Sequence, residues 1–134
     1  MNYWLVKQEP ESYSFEMFQK DGKTDWTGVR NFTARNNLKE MKVGDKVFYY
    51  HSGGERTVVG FATVSKAAFP DPTTDEPQWV AVELEAGKAV KTPVTLADIK
   101  ANPKLAEMKL VKLSRLSVSP VTKEEWDEIV EMSK

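Results

Sequence analysis

A chain of 134 residues, 40% hydrophobic and 29% charged, has globular rather than disordered composition, and no apolar run approaches the ~18 residues of a membrane span. The absence of cysteine excludes disulfides, thiol nucleophiles and thiolate metal sites. A net charge of −1 argues against nonspecific coating of nucleic acid, which needs a strong positive field. Sign is nevertheless segregated: residues 29–66 carry seven Lys/Arg against three Asp/Glu and residues 100–120 five against one, while the other three segments are negative. Either lysines cluster by chance or one face of the fold is basic. Length, the missing cysteines and an N-terminus without a basic, apolar leader predict a single domain over residues 1–134, in the cytoplasm.

Residues 2–6 read as an opening strand that ends before Pro10. Ser12 or Ser14 supplies the cap of a short helix whose apolar face carries Phe15 and Phe18, with Met17 beside them. Residues 21–25 form a turn-rich connection that delivers Trp26, and residues 31–41 follow as a helix with Phe32, Ala34, Leu38 and Met41 inward. After the turn at Gly44 and Asp45, Lys46–His51 and residues 57–66 are antiparallel strands joined by a loop at 52–55. Pro70, Pro72 and Pro77 make residues 69–78 irregular, and residues 79–85 resume as a strand with Val80, Val82 and Leu84 on one side. Thr95 and Asp98 open a helix, and Asn102-Pro103 separates it from a second short helix ending at Met108. Residues 116–120 form a last strand, and Thr122 with Glu125 opens a terminal helix burying Trp126, Ile129 and Val130. Mixed strands with short helices predict an α+β fold: a small bent sheet or partly closed β-barrel surrounded by helices.

Two clusters carry the functional signal. In Trp26-Thr27-Gly28-Val29-Arg30-Asn31, a flat aromatic face stands beside a glycine turn and hydrogen-bonding groups at a helix start. An asparagine side chain donates and accepts at once, as the edge of a nucleobase requires, and it also serves as a helix cap. In Tyr49-Tyr50-His51-Ser52, strand alternation puts Tyr50 and Ser52 on one face and Tyr49 and His51 on the other, unless the end is bulged. A single histidine makes no familiar metal site, and adjacent His51 and Ser52 point apart rather than forming a nucleophilic pair, so neither metal nor cofactor is expected. Lys7 and Glu9 form a structural ion pair or a proton-transfer pair; Arg115 contacts phosphate or braces the acidic terminal helix.

Tyr3-Trp4-Leu5-Val6-Lys7-Gln8-Glu9-Pro10, the W-x-G-V-R-N-x-x-A-R-N block from Trp26, the Tyr50-His51-Ser52 strand end and the segment from Arg115 to Pro120 together resemble the EVE domain family across essentially the whole chain. The resemblance implies a PUA-like fold and a non-catalytic reader of a modified base, methylated or oxidised cytosine or methyladenine, in DNA or RNA. By the same resemblance Trp26 stacks on the base, Asn31 and Ser52 meet its polar edge, and Val29, Tyr50 and His51 complete the wall. Arg30, Arg35 or Arg115 then serves flanking phosphates, with Trp4, Lys7 and Glu9 as further candidate pocket or backbone contacts. Two alternatives remain open at this point: a nucleoside amidohydrolase using Lys7, Glu9 and Thr27, as in another PUA-like family, and a protein-interaction module. The partners expected are modified DNA or RNA, without a membrane or a metal.

Overall fold

The computed structural model describes all 134 residues. Six strands form one sheet in the order β2-β5-β4-β3-β1-β6: β1 (Tyr3–Gln8), β2 (Lys23–Trp26), β3 (Lys46–His51), β4 (Thr57–Pro70), β5 (Val80–Thr95) and β6 (Val118–Val121). β1 and β3 run parallel, and every other pairing is antiparallel. The edge strands β2 and β6 do not pair with each other, so the sheet is open rather than a closed barrel.

Repeated register shifts along the β4–β5 hairpin bend it, as bulges do. Helix α3 (Phe32–Glu40) touches β6 at one edge of the sheet as well as β5 and β4 toward the other. A single helix reaches both only because the sheet is strongly curled, and α3 closes its open side. The remaining helices are α1 (Pro10–Tyr13), α2 (Phe15–Asp21), α4 (Leu96–Ala101), α5 (Lys109–Lys112) and α6 (Lys123–Met132), none long and apolar enough to cross a membrane.

Both faces of the sheet are covered, which explains why β3 reads as an unbroken apolar run with Val47, Phe48, Tyr49 and Tyr50 all buried. Alternation sends Trp4, Val6 and Tyr49 into a core with Phe15, Phe18, Trp26 and Leu38, and sends Leu5, Phe48 and Tyr50 into a second core with Ile99, Leu105, Trp126 and Ile129. The caps match the sequence reading: Ser14 accepts from the Met17 amide, and the Thr95/Asp98 and Thr122/Glu125 capping boxes are both formed. Asp45, after its turn, accepts from the Asn2 and Lys42 amides and from Trp4 Nε1, fastening β1 to the start of β3.

Several expectations change. Residues 23–26 are an edge strand rather than a loop: of its four side chains only Trp26 is buried, which left too little alternation to read. β4 and β5 run well beyond the expected 57–66 and 79–85, through a small-residue, proline-containing stretch with little apolar alternation. The second short helix is a 3-10 turn at Pro103–Leu105 followed by α5 beyond Met108. Phe32 is 61% exposed while Ala34, Leu38 and Met41 are buried; residues two apart on a helix cannot share the face that Ala34 and Leu38 define.

Candidate functional site

The parallel pairing of β1 and β3 brings their carboxyl ends together, with Lys7 opposite Tyr50 and Gln8 opposite His51, and the Ser52 amide donates to the Gln8 carbonyl at 3.0 Å. The connector between α5 and β6 crosses this end: the Lys7 amide donates to Ser117 O at 2.9 Å and Lys7 Nζ to Ser114 O at 2.7 Å. Ser114 is therefore a ridge between two cavities. The first, of about 340 Å³, is lined by Asn31, Thr33, Leu113, Ser114, Arg115 and Leu116. The second, of about 360 Å³, includes Lys7, Tyr50, Ser52, Arg56, Lys100 and Ser114. Each falls within the size range of small-ligand sites.

Lys7, Arg56, Lys100 and Arg115 line the two cavities, and no carboxylate does. Arg56 comes from one basic segment of the sequence and Lys100 and Arg115 from the other; Arg56 and Lys100 line the second cavity with Lys7, and Arg115 lines the first. Burial pushes the Lys7 ammonium below its ordinary pKa, and no acidic partner offsets that effect. The expected Lys7–Glu9 ion pair is not formed: Glu9 lies exposed at the start of α1 while Lys7 turns to the connector. Arg115 makes no ion pair with the terminal helix.

The other anticipated residues divide sharply. Asn31 Oδ1 accepts from the Ala34 amide at 2.9 Å as the cap of α3, which leaves its Nδ2 donors available at the first cavity. Tyr50 and Ser52 share the second cavity, as alternation required. Tyr49 and His51 lie on the opposite face. His51 Nε2 accepts from the Phe15 amide at 3.0 Å, so in the neutral ring Nδ1 carries the proton and donates to Glu55 Oε2 at 2.8 Å. His51 is thus a buried tie between α2 and the loop after β3, and lines neither cavity.

Trp26 is 6% exposed and meets the Tyr49 ring edge-on at 5.6 Å, packed in one core with Val29 and Leu116. It lines neither cavity and presents no free face for stacking; Leu116, which does line the first cavity, belongs to the same core. Arg30 pairs with Asp71 at 3.0 Å and reaches Thr73 at 3.1 Å, anchoring the loop after β4. Burial alone would raise the pKa of Asp71, but hydrogen bonds from Thr73, the Gly28 amide and Arg30 outweigh it and hold the carboxyl below its ordinary value. Gly28 adopts φ 79°, a left-handed backbone conformation that favours glycine. Arg35 lies beside Phe32, and Trp4 is committed to Asp45. No three His, Asp or Glu side chains converge as a metal site.

Thr33, Leu113, Ser114, Leu116, Arg56 and Lys100 were not singled out in the sequence. Charge clustering over 29–66 and 100–120 points to this region, but nothing distinguishes Arg56, which holds a left-handed φ of 48°, from the other cations of its segment.

The EVE domain model matches residues 2–132. A crystallised protein of Agrobacterium tumefaciens is 47% identical and superposes with a TM-score of 0.97, covering 99% of this chain and 93% of that one. Thymocyte nuclear protein 1 of Mus musculus is 33% identical over 99% of this chain and 74% of its own length. The human THYN1 protein, crystallised in complex with 5-methylcytosine-containing DNA, is 31% identical with a TM-score of 0.93, covering 100% of this chain and 98% of that one. The match spans both motif blocks, the strand end and the connector, and the α+β, PUA-like architecture is the one the resemblance implied. The chain belongs to the EVE domain family.

Proposed function

We propose that this protein is a non-catalytic reader of a modified base in DNA, and that the cleft on either side of Ser114 is where it reads. The observation that carries the reading is the division of labour between the two cavities. The first sets Leu113 and Leu116 beside Asn31, Thr33 and Arg115, so an apolar wall for a methyl group adjoins donors for a base edge. The second sets Lys7, Arg56 and Lys100 together without a carboxylate, which suits the phosphates on either side of an extruded base. The complex of human THYN1 with 5-methylcytosine-containing DNA supports DNA as the ligand and methylcytosine as the first modification to test.

Energetics bound the expected behaviour. Extruding a base costs a few kcal/mol, which the contacts in the cleft must offset. One buried methyl group adds about 0.8 kcal/mol, a preference of roughly fourfold over the unmodified base. Micromolar binding with modest discrimination follows, tighter where the base is already unpaired.

The amidohydrolase alternative draws on one observation, the depressed pKa of Lys7. Glu9 and Thr27 line neither cavity, so no carboxylate stands by to exchange a proton with that amine. The test is a titration of labelled single- and double-stranded oligonucleotides carrying cytosine, methylcytosine, hydroxymethylcytosine or methyladenine, alongside incubation with acylated cytidine. Saturable, modification-dependent binding without turnover is the expected result. Turnover that disappears in Lys7→Ala would overturn it in favour of the hydrolase.

A further inference from the structure

One residue beyond Asn31, the surface carries an aromatic platform that the cleft does not use. Phe32 is the only aromatic residue among the large hydrophobic side chains left exposed. Its ring stacks on Trp79 at 5.1 Å and 26°. Trp79 is itself held fast, 7% exposed, with Nε1 donating to Glu76 Oε2 at 2.8 Å. The Arg35 guanidinium carbon lies 5.0 Å from the Phe32 ring centre and 5.9 Å from that of Trp79. A cation on the far face of Phe32 would stand off from Trp79 by nearly the sum of the ring–ring and cation–ring separations. Arg35 is much closer than that, so it sits on the flank shared by both rings and leaves the outer face of Phe32 open.

Arg35 bonds only to neutral oxygens, the Asn36 side chain at 2.9 Å and the Gln78 carbonyl at 3.4 Å. Arg30, also beside Trp79 at 5.5 Å, is neutralised by Asp71. The platform therefore combines one free aromatic face with one uncompensated cation, the pairing that a base and its phosphate complement. Asn31 and Thr33, on either side of Phe32 in the sequence, both line the first cavity.

We propose that Phe32, backed by Trp79, stacks on the nucleobase flanking the one held in the first cavity, with Arg35 against the adjoining phosphate. The proposal rests on the reading of the cleft given above and adds a contact with a different signature. Every base has a π-face, so this contact contributes affinity without regard to methylation, while the cavity supplies the preference. A ring already immobilised by Trp79 loses little further freedom when a base settles on it.

The experiment compares wild type, Phe32→Leu and Phe32→Tyr on labelled oligonucleotides identical except for cytosine or methylcytosine, with 2-aminopurine at the flanking position in a second set. Loss of one base stack weakens binding by about 5- to 150-fold. Phe32→Leu, which keeps the apolar cover over Trp79, is expected to weaken both probes by the same factor within that range and to abolish the 2-aminopurine quenching. Phe32→Tyr retains both. Wild-type affinity and quenching in Phe32→Leu overturn the platform alone and leave the cleft standing. The same result with loss of a concentration-dependent dimer in Phe32→Leu assigns the face to a second copy of the chain. Absence of saturable binding by the wild type overturns the reading of the cleft, and this inference with it.

Discussion

Asn31 caps α3 and, in the proposed reading, donates to the base, and substitution separates the two. Its Oδ1 accepts the Ala34 amide at 2.9 Å and caps α3, which leaves the Nδ2 donors of this cavity-lining residue unspent. Asn31→Ala removes both; Asn31→Ser retains an oxygen able to accept the same amide but has no amide donor. The lost cap costs about 1 kcal/mol in Asn31→Ala, which lowers the Tm of a domain this size by roughly 3–5 °C, and close to nothing in Asn31→Ser. A lost neutral hydrogen bond to the base costs about 0.5–1.5 kcal/mol, so both variants are expected to bind methylcytosine oligonucleotides roughly 2- to 12-fold more weakly. Thermal unfolding and fluorescence anisotropy on the same samples check the two duties. Equal Tm for the two variants would refute the cap assignment, and wild-type affinity in Asn31→Ser would refute the role of the amide.

Arg56→Gly removes a cation of the second cavity and relieves a left-handed backbone at φ 48°; strain relief and the entropy of glycine offset each other, so stability is expected to stay within about 1 kcal/mol. Binding should weaken with the slope of log K against log salt reduced in magnitude by about 0.7–0.9, the contribution of one phosphate contact; an unchanged slope would remove Arg56 from the interface. Asp71 is held below its ordinary pKa of 3.8, so the unfolded chain takes up this proton first as pH falls. Its contribution to stability is therefore full above about pH 4 and is lost below it; in a pH series of thermal melts, Asp71→Asn should start less stable and fall less steeply on acidification than the wild type. A Cβ at Gly60 would clash with the buried Phe15 ring, so Gly60→Ala should destabilise by about 1–3 kcal/mol in urea unfolding, and a neutral effect would contradict the packing of α2 on the sheet.

What the sequence disclosed follows from where its signals are local. Caps, strand alternation and the β3–β4 pairing rest on near neighbours, and Ser14, Thr95, Thr122 and Tyr50 stand where local chemistry put them. β2 escaped because an edge strand with one buried side chain has little pattern to show. The placement of His51 and Trp26 depends on partners distant in sequence: Phe15 donates to the imidazole and Tyr49 packs against the indole, so both are buried and line neither cavity. The cleft itself was half legible. Lys7, Asn31, Tyr50, Ser52 and Arg115 stand out in the sequence motifs, whereas Ser114 joins them only because the connector folds back across the ends of β1 and β3.

The proposed assignment of a modified base and its phosphates to the two cavities beside Ser114 is open to direct measurement. Its most direct test is the affinity of the wild type for two oligonucleotides that differ by one methyl group on one cytosine, measured at a fixed salt concentration. Saturable micromolar binding to both is expected, with the methylated strand preferred by roughly fourfold. Saturable binding with no difference between the two, or no binding to either, would contradict it.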